Sequence, residues 1–336
     1  MSTSLLRIGI VGCGFAARVH LDRLLALESV RVVGCADPDL AAARAFVERL
    51  PAAGDAEPSP RVFADHRELL RRRALDALAI FTPHLAHYRP AMDALQAGCH
   101  VFIEKPLSTN VQEAVDIVGL ARARGQKVAV GLQYRLCPSL AETRSRLASG
   151  AIGALRLVTA TLAQPWLASH GGVEDAWRFD PGAVSAGGGL LADAGDHLLD
   201  ALLWTTGRTA VEVAAMQSRL EPGIDVVTAA ALKLSDGVPA TIALSGVSPG
   251  AFFELVYFGD RGCLRATDRT LVIERGPADR ETVALPEPAE SIDGNFVSAL
   301  VGDAPLCCPA EQALDTVRLS EAIARSATTA QVVRLA

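Results

Sequence analysis

Hydrophobic and polar positions in the first part of the chain follow two different patterns. Short runs of consecutive apolar and β-branched residues, typical of strands buried on both faces, are separated by Ala-rich stretches with helical spacing. The runs predict six strands, at residues 7–11, 30–36, 61–64, 76–81, 99–103 and 127–132. Strands that alternate with helices in this way predict a parallel, doubly wound α/β sheet.

The pattern changes after Gln133-Tyr134-Arg135. One helix at 139–148 is followed mainly by strand patterns with tight turns between several of them, at 155–163, 211–218, 226–234, 239–244, 252–258, 262–266 and 271–275. Such runs predict an α+β domain on a large open, mainly antiparallel sheet. Because 336 residues exceed the usual size of one core, we expect two domains, 1–133 and 134–336.

A glycine motif, Gly-Cys-Gly-Phe-Ala-Ala over residues 12–17, joins the first strand to a helix. Gly12 permits the tight turn, and Gly14 lets the backbone approach a pyrophosphate at the helix N-terminus. Asp37 ends the second strand, where a carboxylate accepts hydrogen bonds from the ribose hydroxyls of NAD and repels the 2′-phosphate of NADP. The alternative for Asp37 is a helix cap. The motif predicts a Rossmann dinucleotide-binding domain over residues 1–133.

The fifth predicted strand runs into Glu-Lys-Pro at residues 104–106. Proline keeps the preceding residue extended, so we expect Lys105 at the carboxyl end of the strand, where open sheets place their ligands. Thr82 and Pro83 follow the fourth strand in the same way, with His84 and His87 after them. A plain strand exit is the alternative for 104–106. A metal site at the two histidines is disfavoured because no third ligand is nearby.

Three glycines at 187–189 lead into a helix that is predicted to continue to about residue 204. Asp193, His197 and Asp200 have the spacing i, i+4 and i+7 and share one helical face. Because leucines occupy the neighbouring positions, these charges must line a cavity or be paired. A histidine with a carboxylate one turn away is a candidate general base. A metal site is the alternative, although a further ligand is not evident.

Charge and composition exclude several classes of protein. The formal net charge of −6 argues against a nucleic-acid partner, and no apolar run is long enough to span a membrane. The first strand begins almost at the N-terminus, which leaves no room for a signal peptide. Seven cysteines without metal-type spacing favour a reducing compartment. We therefore expect a cytoplasmic protein.

These motifs, in this order, resemble the Gfo/Idh/MocA oxidoreductase family, which includes proteins like inositol dehydrogenase and glucose-fructose oxidoreductase. The resemblance covers essentially the whole chain and implies an N-terminal domain that holds NAD(P). It also implies a C-terminal substrate domain whose open sheet forms oligomers. Loosely alternating strands in the second half lead to the same expectation of a homodimer or homotetramer. Members of the family mostly oxidise a secondary alcohol of a sugar, cyclitol or related polyol.

The resemblance also implies roles for individual residues. Lys105 would hydrogen-bond the reacting oxygen, His197 would take its proton, and Asp193 would bind substrate or orient the imidazole. The Lys105–Pro106 bond is expected to be cis. The implied cofactor contacts are Gly12, Gly14, Phe15, Ala16, Asp37, Thr82, Pro83, His87, Glu104 and Lys105. The implied substrate contacts are Arg135, Trp177, Arg178, Asp193 and His197, and for the first three a packing or salt-bridged role is an equal alternative.

Three functions remain open at this point. The first is an NAD-dependent dehydrogenase of a sugar or cyclitol, with NAD preferred over NADP. The second is a glycosidase or isomerase of the same family that recycles its NAD, and the third is a non-catalytic cofactor-binding sensor. His84 stands where the family commonly has Asn, but Lys105, Asp193 and His197 are all present, which favours the dehydrogenase.

Overall fold

The computed structural model describes residues 5–50, 59–72, 74–170, 177–179, 189–220, 223–302 and 304–335. The chain divides into two compact units. The first comprises Met1–Ser108, Gln112–Gly131 and Glu290–Ala313, and the second comprises Thr109–Val111, Leu132–Ala289 and Leu314–Ala336. The predicted boundary after residue 133 lies close to the observed crossover. The segment Glu290–Ala313, which the sequence-based division placed in the second domain, packs instead with the first unit.

The elements alternate in the first unit and are mostly strands in the second. The strands are β1 (Leu6–Val11), β2 (Val30–Ala36), β3 (Arg61–Phe63), β4 (Ala77–Ile80), β5 (His100–Ile103), β6 (Val128–Val130), β7 (Leu155–Ala163), β8 (Ala210–Leu220), β9 (Ile224–Leu234), β10 (Pro239–Ser245), β11 (Phe252–Gly259), β12 (Cys263–Ala266), β13 (Leu271–Gly276), β14 (Asp279–Thr282) and β15 (Val333–Arg334). The α-helices are α1 (Phe15–Leu25), α2 (Leu40–Val47), α3 (His66–Arg72), α4 (Tyr88–Gln96), α5 (Val111–Arg124), α6 (Pro138–Ala148), α7 (Trp166–His170), α8 (Asp196–Thr206), α9 (Ile292–Val301) and α10 (Ala310–Thr329).

The first unit is built on a six-stranded parallel sheet in the order β3-β2-β1-β4-β5-β6. Every residue of β4 is buried, as expected for a strand covered by helices on both faces. The glycine turn, Thr82 and Glu104 follow β1, β4 and β5 respectively, so they lie at the same carboxyl edge of the sheet. The predicted doubly wound α/β fold is confirmed.

Residues 290–313 return to the first unit because α9 carries groups that complete its core. Phe296 on α9 packs against Phe102 of β5, with 5.7 Å between the ring centroids. Asp293, also on α9, lies 2.7 Å from a ring nitrogen of His20 on α1. The composition of the segment does not distinguish it from the second half, so the sequence pattern could not assign it.

The second unit is built on a nine-stranded sheet in the order β14-β13-β12-β11-β7-β10-β9-β8-β15. Its pairs are antiparallel except for β7 and β10, which run parallel. Two parallel strands need a long connection. The chain between β7 and β10 provides it, because it passes through α7, α8, β8 and β9. The mainly antiparallel α+β domain is confirmed, with two additional short strands, β14 and β15, beyond those predicted.

The core of the second unit lies between one face of this sheet and the helices α6 and α8. Leu198, Leu199 and Leu202 are fully buried on α8 and pack with strand residues such as Ile242 and Leu244. Within the described parts of the chain, no helix is both long and apolar enough to cross a membrane.

Candidate functional site

The glycine turn after β1 has a geometry that only glycine accommodates at its first position. Gly12 has φ of +84°, and a Cβ there would lie 2.7 Å from the carbonyl of Phe81. The Gly12 N–H donates to the carbonyl of Ala36 at 2.9 Å, which holds the turn against β2. The turn therefore lies directly against the ends of β2 and β4.

Helix α1 begins at this turn with an open N-terminus. No side chain of the described residues caps it, and a Cβ on Gly14 would have no atom within 4 Å. Phe15 is 82% exposed at the first helical position, beside Ala16. Free N–H donors and the positive end of the helix dipole make such a terminus suited to a pyrophosphate. The residues at this turn fit the NAD that the motif implies.

Asp37 is fixed beside the same turn. Its Oδ2 accepts from the N–H of Cys13 at 2.8 Å, and its Oδ1 accepts from the N–H of Asp39 at 2.9 Å. Each carboxylate oxygen retains a second lone pair, so it can also accept a hydroxyl. The role as a turn cap and the role toward a ribose are compatible, and the observed cap holds the carboxylate in place for the second role.

The end of β4 combines an unsatisfied hydroxyl with a fully buried histidine. Thr82 Oγ1 is buried and has no hydrogen-bond partner among the described residues. His87 Nδ1 lies 2.7 Å from the carbonyl oxygen of Pro106, and its Nε2 lies 2.9 Å from that of Thr82. Burial lowers the pKa of His87, so the ring is neutral near pH 7 and donates to one carbonyl at a time.

His87 was also predicted to contact the cofactor, and here both of its ring nitrogens lie against backbone carbonyls. Its side chain is completely buried and links the ends of β4 and β5. Thr82 and Pro83 remain candidates, since an unsatisfied buried hydroxyl is expected to find its partner in a bound molecule.

Lys105 follows β5 as predicted. Its side chain is buried, with 8% of the residue exposed, and the Lys105–Pro106 peptide bond is cis. Burying an ammonium group costs free energy, so a buried lysine at the carboxyl end of a parallel sheet indicates either a partner or a function. This burial distinguishes Lys105 from a charged residue at an ordinary strand exit.

Glu104 pairs with a buried histidine that the sequence analysis did not single out. Glu104 Oε2 lies 3.7 Å from His20 Nε2, and Asp293 Oδ1 lies 2.7 Å from His20 Nδ1. Burial alone would lower the pKa of His20, but the hydrogen bond with Asp293 and the nearby Glu104 carboxylate outweigh it and raise the pKa to about 9. A Cβ at Gly131 would overlap Glu104 Oε2, so glycine there leaves space for this carboxylate.

In the second unit, the predicted catalytic helix begins with a π-helical turn, Leu191–Gly195, and continues as α8. Between Gly189 and Leu203 every residue is buried except His197, which is partly exposed. Gly187 and Gly188, the first two predicted glycines, lie outside the described residues. π-turns are frequent at functional sites because they redirect side chains. His197 is thus the accessible polar group on an otherwise buried helix.

Asp193, in the π-turn, brings together three of the predicted residues. Its Oδ2 accepts from Arg178 Nε at 2.6 Å and from Trp166 Nε1 at 2.8 Å. The Arg178 guanidinium in turn lies over the ring of Trp177, 4.4 Å from its centroid. Trp166, on α7, was not predicted as an Asp193 partner, because nothing in its spacing connects it to the π-turn.

Arg135 forms the salt bridge that was the equal alternative to a substrate contact. Its Nε and Nη2 donate to the Asp200 carboxylate, at 2.9 Å to Oδ2 and 2.6 Å to Oδ1 respectively. Both side chains are almost completely buried, with 3% and 1% exposed. The pair therefore has a packing role, and Asp200 belongs to this ion pair rather than to a catalytic stripe. The carboxylates of the predicted stripe are each engaged by a different arginine.

His197 is stacked on Tyr134, with 4.9 Å between ring centroids and 21° between ring planes. Tyr134 lies in the 3₁₀ turn Gln133–Leu136, at the crossover into the second unit. In the sequence, Gln133-Tyr134-Arg135 marks the change from alternating helices and strands to successive strands. Tyr134 was not predicted as a site residue, because a ring stack between residues far apart in the chain leaves no local pattern.

Asp225 is a further buried acid near the start of the π-turn. It accepts from the Leu191 N–H at 2.9 Å, and burial raises its pKa to about 6. Gly189, with φ of +100°, packs so closely on Asp225 that a Cβ would overlap its carboxylate. This arrangement fixes the chain just before Asp193.

Comparison with known proteins agrees with this architecture. Residues 6–132 match the Gfo/Idh/MocA oxidoreductase family with its NAD-binding Rossmann fold, and residues 140–265 match the C-terminal domain of that family. The D-glucoside 3-dehydrogenase of Escherichia coli (strain K12) is 29% identical over 213 residues, which cover 63% of this chain and 57% of the relative. The chain thus matches little more than half of that relative's length.

Solved structures show the same fold at lower identity. An oxidoreductase domain protein from Kribbella flavida has a TM-score of 0.86 at 22% identity, covering 99% of this chain and 100% of that one. The WlbA dehydrogenase from Bordetella pertussis, solved with NADH and UDP-GlcNAcA, has a TM-score of 0.80 at 23% identity, covering 99% of both chains.

Proposed function

The chain belongs to the Gfo/Idh/MocA oxidoreductase family, and from that premise we propose that it oxidises a secondary alcohol of a sugar, cyclitol or related polyol with NAD. The observation that carries the proposal is the partial exposure of His197 on an otherwise buried helix. An accessible imidazole has the pKa range that suits a general base near neutral pH. The open N-terminus of α1 and the fixed Asp37 carboxylate support NAD as the oxidant.

Each of three residues has a proposed role. His197 takes the hydroxyl proton of the substrate, while the Lys105 ammonium hydrogen-bonds the same oxygen and stabilises its developing negative charge. Asp193 binds a substrate hydroxyl or holds Arg178 for that purpose, consistent with its 2.6 Å contact to Arg178 Nε. No side chain can accept a hydride, so bound NAD would supply the hydride acceptor for the alcohol carbon. The products are a ketone, NADH and a proton.

The substrate class is proposed from the family and from the composition of the second unit. Trp177 and Arg178 offer an aromatic face and a planar cation, and both are common in sites for ring compounds with several hydroxyls. Its relatives include a D-glucoside 3-dehydrogenase and a trans-1,2-dihydrobenzene-1,2-diol dehydrogenase from Bos taurus. We therefore propose a cyclic polyol as the substrate.

The test combines a substrate panel with two variants. Purified protein is incubated with NAD and inositols, aldoses, glucosides, amino sugars or nucleotide sugars, and NADH is followed by absorbance. With the best substrate, Lys105→Ala and His197→Ala should each lower kcat by about 100-fold or more while the Kd for NAD stays within about twofold. Lys233→Ala and His66→Ala are the matched controls and should behave as wild type.

Two outcomes would contradict the proposal. Wild-type turnover in either variant would remove that residue from the chemistry. Consumption of a substrate without net NADH would point instead to chemistry in which the cofactor is recycled on the enzyme.

We also propose that the protein is a homo-oligomer and that it works in the cytoplasm. All seven cysteines are free, which suits a reducing compartment. Part of the outer face of the second sheet carries exposed uncharged residues, such as Ala214, Ala231 and Thr241, and a second copy can approach them closely.

A further inference from the structure

The ring of Tyr134 covers one face of the His197 imidazole. The two rings are nearly parallel, at 21°, with centroids 4.9 Å apart. Tyr134 is itself held from the side by Phe253 of β11, whose ring stands edge-on at 4.7 Å and 87°. An aromatic ring that is packed on two sides has little rotational freedom, so it offers a fixed surface to its neighbour.

The turn that carries Tyr134 is anchored to the helix that carries His197. Arg135, the next residue, makes the two-point ion pair with Asp200 on α8. Asp200 lies three residues after His197, which is about one helical turn. Thr316 Oγ1 also donates to Asp200, at 3.4 Å. Both partners of the stack are thus fixed to one helix within the same unit.

We propose that Tyr134 is a positioning residue for His197, which sets the plane of the imidazole and favours its protonated form. The proposal rests on the proposed function, in which His197 takes the substrate proton. When it does so, positive charge appears on the imidazole, and the π-electrons of an adjacent aromatic face stabilise a cation. The stack therefore assists at the moment when the base becomes charged.

Tyr134 acts through its ring and not through a charge. Burial raises the pKa of its hydroxyl, and the nearby Asp268 and Cys137 raise it further, so the phenol is neutral at physiological pH. The charged and titratable groups on the elements around the stack are Asp193, Asp196 and Asp200 on the π-turn and α8, Arg178 beside Asp193, Arg135 beside Asp200, and Asp268 and Cys137 beside Tyr134. All of them are retained when Tyr134 alone is replaced.

Two variants of Tyr134 test the proposal, one without the aromatic ring and one that keeps it. Tyr134→Leu removes the aromatic face, and it should lower kcat roughly tenfold with KM within about twofold, since substrate binding is not the step that the ring assists. It should also lower the pKa of His197 by about 0.5, because the imidazolium loses its aromatic partner. Tyr134→Phe keeps the face and should preserve both values.

The pKa is measured by NMR titration of the histidine C2–H signals of the full chain without substrate, with His197→Gln to assign the signal. Tyr88→Leu, at a tyrosine whose hydroxyl donates to Asp116 in the first unit, is the matched control. If Tyr134→Leu does not fold, Tyr134→Met serves in its place, since it also removes the ring.

Two results would overturn the proposal: an unchanged pKa of His197 when the ring is removed, or an unchanged kcat despite a lowered pKa. Failure of the proposed function is distinguishable from both, because it would appear as full activity in the His197→Gln variant.

Discussion

At the scale of single residues, the described contacts show which protein partner each candidate residue has. Asp37 could have been a turn cap or a ribose ligand, and the structure shows a cap that holds the carboxylate beside the glycine turn. Glu104 was expected to contact the cofactor, and within the protein its carboxylate lies 3.7 Å from the His20 imidazole. For both residues the sequence indicates that a carboxylate is present, but it does not indicate which group the carboxylate contacts.

Asp37 leads to a prediction on cofactor preference. Asp37→Ser removes the negative charge that is proposed to accept from the ribose and to repel a 2′-phosphate, so the preference for NAD over NADP should fall at least tenfold. The measurement is kcat/KM with each cofactor at a fixed substrate concentration. Asp39→Ser is the matched control, because Asp39 caps α2 through the Ala41 N–H and serine can also cap a helix. An unchanged ratio in Asp37→Ser would remove Asp37 from the ribose.

What could be predicted about the site followed from local spacing. The glycine turn, Asp37 and Lys105 were found because each follows a strand whose hydrophobic run is clear, and parallel strands bring their ends to one edge. For Arg135 a substrate contact and a salt-bridged role stayed equal alternatives, because its partner, Asp200, lies 65 residues away and no local pattern connects them. Tyr134 was not singled out for the same reason.

At the scale of elements, a π-turn precedes the regular helix that carries His197 and Asp200, and Asp193 lies in that π-turn. Residues at i, i+4 and i+7 share a face on a regular α-helix, but a π-turn adds a residue and rotates what precedes it. Asp193 therefore pairs with Arg178 and Trp166, while Asp200 pairs with Arg135. The expectation that these charges are paired is confirmed for both carboxylates.

His20 connects α1, the end of β5 and α9, and its protonation should make stability depend on pH. The folded-state pKa of about 9 lies above the ordinary value of 6.5, so folding takes up a proton between these values. The associated stability is complete below pH 6.5 and is lost as the pH rises through 9. It amounts to about 3 kcal/mol of unfolding free energy.

Urea unfolding between pH 6.5 and 9.5 tests this prediction. The wild type should lose stability across that range, whereas His20→Gln should be less stable at pH 6.5 and should lack this portion of the pH dependence. His66→Gln, at a histidine that contacts Asp93 on another part of the first unit, should follow the wild type. If His20→Gln lost as much stability with rising pH as the wild type, the imidazolium at His20 would be ruled out.

At the scale of the whole molecule, the two-unit division was predictable and one of its boundaries was not. The change from alternating helices and strands to successive strands marks the crossover near residue 132. Residues 290–313 belong to the first unit through contacts such as the one between Asp293 and His20. The composition of the segment does not change in a way that would predict these contacts. The helix in this segment buries apolar residues such as Ile292, Phe296 and Val297, but an apolar helix does not by itself indicate which of two cores it joins.

The outer face of the second sheet carries the last prediction, on assembly. Register places Ala214, Ala231 and Thr241 in one row across β8, β9 and β10, and Met216, Ala229 and Ala243 in the next. All six are exposed, and none is charged. Except for Met216 these side chains are short, so a second copy can approach this part of the face closely, as an interface of roughly 800 Å² per partner requires.

Ala231→Arg places a cation in the middle of this face, and burying it without a partner would cost more than a typical interface gains from one residue. Sedimentation equilibrium at micromolar concentration should give a dimer or tetramer for the wild type and a monomer for Ala231→Arg. Ala278→Arg makes the same change at an exposed position between β13 and β14 and should leave the assembly intact. A wild type that sediments as a monomer, or an Ala231→Arg variant that remains assembled, would exclude this face as the interface. Since Ala231 points away from the core that holds α8, the Ala231→Arg monomer should retain the melting behaviour of a folded second unit.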